Sequence, residues 1–293
     1  MAVVSRKVRY FLFKVFGLLS IVRWPNVLFT IITQYIAAVY IFAPNKRYWA
    51  ILKDFELHFI VASSAFIIAA GFIINSFYDY EKDLVNRPHK TLFDRVVSKE
   101  FCLNTYFVLN GIGLFFAALA SWRVLLFFSV FAFGLWFYSH KLQKLPIIRE
   151  VTASILSVLS VFSIVLYYQQ LNLVMVIYGS FYMCLLLNRE IIKNLRNIEG
   201  DIVVGNSSIS TVWGSKTSKH IFGIVSVLMG LLAYSFYVIS DGSYVVEFVV
   251  TTSIILLVTW LLLITAKTQR QYQIAHSLYK LQMAISVLYL MIY

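Results

Sequence analysis

Two stretches carry residue types and spacings that could do chemistry. The first is Asn75-Ser-Phe-Tyr-Asp79-Tyr-Glu-Lys-Asp83, which closes the apolar run from Phe59 to Ile74. Asn75, Asp79 and Asp83 stand at i, i+4 and i+8. On a helix this stacks three oxygen-bearing side chains on one face, drifting by about 40° per step. Oxygen donors on a rigid element suit a hard divalent cation such as Mg²⁺. Solvated or snorkelling charges at a membrane helix end would look the same locally. The second stretch is Asn188-Arg-Glu190-Ile-Ile-Lys193-Asn194-Leu-Arg196-Asn197-Ile-Glu-Gly-Asp201. Glu190, Asn194, Asn197 and Asp201 recur at steps of four, three and four, one helical face, with Lys193 and Arg196 on its flank. The aliphatic residues between them imply that this face looks into a protein cavity rather than into solvent. Of the 13 acidic residues, five fall between Asp79 and Glu100 and three between Glu190 and Asp201. Acidic residues contribute little to topology, so two such clusters on one side of a membrane suggest a shared cation site.

The elements that must position these groups are membrane helices. The chain has 293 residues, 60% hydrophobic and 13% charged, with a mean hydropathy of +0.80. A soluble domain carries about 25% charged residues. The expected fold is all-α, a polytopic membrane bundle of about nine transmembrane helices around a central cavity. It forms a single domain over 1–293, with a basic interfacial segment at 1–18. The spans are expected at 20–43, 58–79, 101–120, 122–139, 148–167, 171–190, 219–239, 245–266 and 274–293. His276, Ser277, Lys280 and Gln282 make the last one polar in its first half.

The net charge of +12 sits in short loops, so membrane topology and anionic headgroups account for it without nucleic acid. Segments 80–100, 140–149, 189–220 and 267–273 are rich in Lys and Arg, which places them and the N-terminus on the cytoplasmic side. Lys46, Arg47 and Lys53 fall on the opposite side and break the pattern. The implied location is a bacterial-type inner membrane with the charged loops facing the cytoplasm. Cys102 and Cys184 both lie in apolar runs and imply neither a disulfide framework nor a metal site. Arg23-Trp-Pro-Asn26 opens the first span, where the proline can begin or kink a helix. Lys141, Lys144 and Arg149 gather at one level after Tyr138-Ser139, as a topology signal or as an anion site.

The arrangement resembles the UbiA superfamily of intramembrane prenyltransferases. The run from Asn75 to Pro88 is similar to the first motif of the branch that makes digeranylgeranylglyceryl phosphate, and Arg189-Glu-Ile-Ile-Lys193 with Glu199-Gly-Asp201 to its second motif. Arg23-Trp-Pro-Asn26 and Tyr138-Ser139 with the following basic pair also look like family features. The resemblance implies that a polyprenyl diphosphate is held by two Mg²⁺ ions, ionises to an allylic cation and is captured by a lipid-phase acceptor. Membrane lipid is the surrounding medium, and no obligate protein partner is implied. It assigns the first metal to Asn75, Asp79 and Asp83 and the second to Asn197 and Asp201, with Asp79, Asp83 and Asp201 the catalytic acids. Arg87, Lys90 and Lys193 would contact the diphosphate, with Arg23 and Arg196 as further candidates. Asn26, Tyr138, Lys141, Glu190 and Asn194 would line the cavity. The chemistry is coherent, because cations stabilise a polyanionic leaving group and an aromatic, water-poor cavity shields a carbocation.

Several residues depart from the family pattern. Ser76 replaces an aspartate, Asn194 and Asn197 stand where the branch has aspartates, and Arg149-Glu150 stands where Gly-Asn is common. Lys90 is followed by Thr-Leu-Phe-Asp-Arg, and the stretch after Gly205 lacks a Lys-Thr pair. These leave the acceptor open between a prenylglyceryl phosphate and an aromatic quinone precursor, Asn194-Leu-Arg196-Asn197 having a flavour of the naphthoate-prenylating branch. A cation-coupled transporter predicts an inverted repeat and midplane carboxylates, and neither is evident. A degenerate prenyl-lipid-binding protein would rest on the two asparagines.

Overall fold

The computed structural model describes residues 6–43, 48–80, 97–169, 171, 173–203, 205–239 and 243–291, and among them every regular element is a helix. In order these are α1 (Arg6–Val22), α2 (Trp24–Ala37), α3 (Tyr48–Leu52), α4 (Phe55–Tyr78), α5 (Lys99–Ala120), α6 (Trp122–His140) and α7 (Ile148–Phe162). Then follow α8 (Val165–Tyr168), α9 (Leu173–Arg196), α10 (Ile198–Val203), α11 (Ile209–Ile239), α12 (Ser243–Thr265) and α13 (Gln269–Tyr289). Seven helical segments among the described residues are long and apolar enough to cross a membrane: Trp24–Phe42, Phe55–Tyr78, Lys99–Ala120, Trp122–Lys144, Leu173–Arg196, Ile209–Ile239 and Val245–Thr265. The other two expected spans are helical but differ in kind. The 148–167 stretch is α7 and the single turn α8, separated by Ser163 and Ile164. Of the 274–293 stretch, residues 274–289 lie in the polar helix α13.

Local chemistry explains the boundaries. Asp54 accepts from the Leu57 amide (3.3 Å) to start α4, and Ser98 from Phe101 (3.2 Å) to start α5. Thr268 and Gln271 form a reciprocal capping box at α13. α1 runs to Val22 and stops at Arg23, whose φ of 52° is left-handed. Pro25 then occupies the first turn of α2, where its missing N–H costs nothing. α11 begins ten residues before the expected 219, because the 209–213 turn joins the span through Gly214 (φ 81°), a conformation that only glycine adopts readily.

The chain divides into two compact units, 1–32 with 54–140 and 33–53 with 141–293. In the first, α4 packs along α5 and also meets α6. Small residues permit this closeness: a Cβ on Gly113 would lie 2.6 Å from Ile67 Cγ1 and 3.3 Å from the Ser63 carbonyl. Gly113→Val is expected to lower stability by about 1–3 kcal/mol through overpacking. A thermal melt in detergent, compared with Gly113→Val/Ile67→Ala, checks this, since the smaller partner should recover much of the loss.

In the second unit α9 is the central helix, packed on α7, α11 and α13. Its apolar core includes Phe181, Leu185, Phe222, Phe248 and Tyr279. Polar side chains tie these helices together where water is scarce. Asn188 Nδ2 donates to Ser226 Oγ and to Tyr279 Oη, both at 3.0 Å. Gln34 Nε2 donates to the Ser160 carbonyl (2.7 Å), and Gln282 Nε2 to Thr252 Oγ1 (2.8 Å). Lys219 Nζ donates to the Ala266 carbonyl (2.8 Å), just past the end of α12.

Candidate active site

In the first unit the chemistry gathers at the C-terminal end of α4. Asp79 is the C-cap residue, its N–H bonded to the Asn75 carbonyl (2.9 Å). Asn75 Nδ2 donates to Asp79 Oδ2 at 2.8 Å, so these two expected ligands are adjacent and half-buried. A half-turn of the Asn75 amide would present Oδ1 beside the same carboxylate. Asp83, Arg87 and Lys90 lie outside the described residues. The Arg23 guanidinium sits 5.4 Å over the Phe72 ring, and Phe72 is one helical turn before Asn75. Tyr78 Oη and His140 Nδ1 are 3.1 Å apart, and His140 stacks on Trp136 (5.3 Å between centroids). Asn26 is exposed, with its carbonyl accepting from Thr30 Oγ1 (3.1 Å). Tyr138 is half-buried on α6.

In the second unit the face predicted from spacing is interior. Asn194 is 1% exposed, Asn197 7% and Asp201 0%, which excludes a solvated helix end. The helix continues across the α9–α10 junction, since the Asp201 N–H bonds to the Asn197 carbonyl (3.0 Å). The partners of these side chains come mostly from α7 and from α9 itself. Asn194 Nδ2 donates to Glu150 Oε1 (2.7 Å), which also accepts from the Ile209 amide (3.0 Å) at the start of α11. Arg149 Nη1 lies 3.8 Å from Asp201 Oδ2 and donates to the Ser207 carbonyl (3.2 Å). Lys193 and Glu190 form an ion pair at 2.7 Å, and Arg196 Nε donates to Asn197 Oδ1 at 3.1 Å. Lys141, also in this unit, is exposed. Two residues before Arg149, the β-branched Ile147 has φ 67°, strain that sets how α7 begins.

These geometries differ in their fit to a divalent cation. On α4 a carboxylate and an amide oxygen lie one turn apart, the donor set a hard ion takes. Of the expected pair, Asn197 Oδ1 accepts from Arg196, while Asp201 Oδ2 stands 3.8 Å from Arg149 Nη1, beyond hydrogen-bond distance. Of the carboxylates in the cluster, Glu190 pairs with Lys193 and Asp201 faces Arg149, while Glu150 Oε1 is held by the Asn194 amide and the Ile209 N–H.

Arg149 and Glu150 were visible in the sequence only as departures from a pattern, and no local spacing pairs them with residues 44 or more positions away. Glu150 is 1% exposed and its Oε2 has no hydrogen-bond partner among the described residues. Glu150→Ala leaves the Asn194 amide and the Ile209 N–H without their acceptor, at an expected cost of about 2–5 kcal/mol. Glu150→Gln keeps an acceptor oxygen and should melt closer to wild type. Thermal unfolding of both variants in detergent checks the difference.

A model of the UbiA prenyltransferase family matches residues 27–283. The chain belongs to that family. It is an integral membrane protein, as the seven apolar segments require. Over 168 residues it is 28% identical to the digeranylgeranylglyceryl phosphate synthase of Thermococcus sibiricus, covering 55% of this chain and 59% of the relative. To the synthase of the same name from Saccharolobus solfataricus it is 25% identical, covering 73% and 75%. The match to the Thermococcus protein thus spans about three fifths of that relative's length. Among solved structures, a digeranylgeranylglyceryl phosphate synthase shares the fold at a TM-score of 0.72 and 20% identity, covering 95% of this chain and 98% of that one. A UbiA homolog from Archaeoglobus fulgidus bound to GPP and Mg²⁺ shares it at 0.66 and 14% identity, covering 94% and 100%.

The second unit also contains an apolar cavity of about 80 Å³ lined by Thr33, Phe42, Phe162, Tyr178, Tyr182 and Phe236, among others. Tyr182 precedes Asn194 by twelve positions on α9, so the polar cluster and the cavity are separated by roughly 18 Å along that helix. Charge and hydrocarbon surface are thus segregated along one element.

Proposed function

We propose that the protein transfers a polyprenyl group, of geranylgeranyl type, from its diphosphate to a lipid-phase acceptor, with a prenylglyceryl phosphate as that acceptor. Family membership supports the reaction class, and the named synthases that the chain resembles support the acceptor. The observation that carries the reading is the Asn75–Asp79 pair at the end of an apolar helix. In this reading Asn75, Asp79 and Asp83 hold Mg²⁺. The ion supplies Lewis-acid stabilisation of the negative charge that develops on the diphosphate as the carbon–oxygen bond breaks. Arg87, Lys90 and Lys193, with Arg23 and Arg196, add positive charge toward the same anion.

The remaining roles follow from physical chemistry. Aromatic side chains and bulk hydrocarbon exclude water from the allylic cation. The acceptor then closes on the cationic carbon, and its proton leaves to a base or to water. The basic segments face the cytoplasm of a cell inner membrane, 1–293 acts as one domain, and 1–18 lies at the interface. Purified protein in lipid nanodiscs with geranylgeranyl diphosphate and Mg²⁺ tests the acceptor. The reading expects an ether-linked product, seen by mass spectrometry, with geranylglyceryl phosphate. A prenylated ring formed only with an aromatic acid would move the protein to the quinone-precursor reaction.

A further inference from the structure

We propose that His140 is a positioning residue for the metal-binding end of α4. Through its hydrogen bond to Tyr78 it holds the final turn of that helix and keeps Asp79 in register with Asn75. The inference rests on the prenyltransferase reading above, in which Asn75 and Asp79 hold Mg²⁺, and all of its residues lie in the first unit. Three observations carry it. First, the last residue of α6 meets the last residue of α4: His140 Nδ1 and Tyr78 Oη are 3.1 Å apart, and the two rings meet edge to face at 5.5 Å. Second, His140 is itself held. Its ring stacks on Trp136, one turn earlier on α6, at 5.3 Å between centroids and 4° from parallel. α6 is also seated closely on α4 near Gly71, two helical turns before Tyr78, where an added Cβ would lie 2.9 Å from Leu135 Cδ1. Third, Tyr78 immediately precedes Asp79, and the two bonds that set the Asn75–Asp79 geometry both span this turn. One runs from the Asp79 N–H to the Asn75 carbonyl (2.9 Å), the other from Asn75 Nδ2 to Asp79 Oδ2 (2.8 Å).

A helix C-terminus opens readily, because its last carbonyls have no helical donors. Opening this turn would part the two oxygen donors that the metal needs side by side. A brace from α6 at the residue next to Asp79 opposes that opening. Ring packing alone does not require the bond, since a phenylalanine at 78 would fill the same space. The phenol and the imidazole nitrogen add a directional link that fixes the turn against α6. One neutral hydrogen bond shifts an equilibrium by about 2- to 10-fold, which sets the size of the expected effect.

The test is a metal titration. Full-length protein in nanodiscs receives Mn²⁺ in the presence of geranylgeranyl S-thiolodiphosphate, an unreactive substrate analogue, and free Mn²⁺ is read by electron paramagnetic resonance. Tyr78→Phe and His140→Ala should each raise the Mn²⁺ concentration for half-saturation by about 3- to 10-fold. The double variant should lose no more than either alone, because both remove the same bond. His140→Asn keeps a hydrogen-bonding atom near the place of Nδ1 and should recover much of the loss. At saturating Mn²⁺ every variant should bind the analogue as the wild type does. Wild-type half-saturation in a folded Tyr78→Phe protein would overturn the proposal and leave the prenyltransferase reading standing, as would losses that multiply in the double variant. Analogue binding that stays weak at saturating Mn²⁺ would also overturn it, by placing His140 against the substrate instead. A wild-type protein that binds neither Mn²⁺ nor the analogue would overturn the two together.

Discussion

Asp79→Ala is expected to lower prenyl transfer by about 10³-fold or more, as the loss of a group that stabilises developing charge does elsewhere, while leaving the protein folded. The side chain is half-buried at a helix C-cap and takes a hydrogen bond from Asn75 in its own helix. Its removal opens no cavity in the packed core and breaks no tie between helices that the structure displays. The cap's backbone bond to the Asn75 carbonyl does not involve the side chain. Asp79→Asn should fall between, because an amide oxygen still coordinates but without charge, and raising Mg²⁺ should restore part of its rate. Diphosphate release over a Mg²⁺ series, with a thermal melt of each variant, checks all three. A folded Asp79→Ala protein turning over at the wild-type rate would remove this residue from the site.

Asp201→Ala is expected to abolish turnover and also to destabilise, which separates it from Asp79→Ala. Asp201 is fully buried and faces a guanidinium that is itself buried. Deleting one partner of such a pair strands the other charge and costs about 3–5 kcal/mol. The controlling comparison is Arg149→Leu/Asp201→Leu. Replacing both charges by apolar groups is often neutral for stability, so the double variant should melt above Asp201→Ala and remain inactive. Recovery of activity along with stability would mean that the pair only holds the fold.

The membrane helices were legible because apolar length is a strong signal: 58–79, 101–120 and 122–139 lie within or nearly coincide with α4, α5 and α6. The breaks were harder. Arg23 and Ile147 adopt left-handed conformations that no local preference announces, and the Gly214 kink joins a polar turn to an apolar span. The burial of Asn194, Asn197 and Asp201 followed from their period and from the aliphatic residues between them. Their partners did not, since Arg149 and Glu150 stand on α7 and only the packing of α7 on α9 brings them close. A period shows which face is buried. It does not show which side chains arrive from a helix 44 or more residues earlier.

The most direct test of the central claim is diphosphate release from geranylgeranyl diphosphate by purified protein in lipid, with geranylglyceryl phosphate present, in Mg²⁺ and then in excess chelator. The account predicts release that needs both the metal and the acceptor and that disappears in Asp79→Ala. Release that persists in chelator, or its absence from a folded protein that binds the substrate in Mg²⁺, would contradict it.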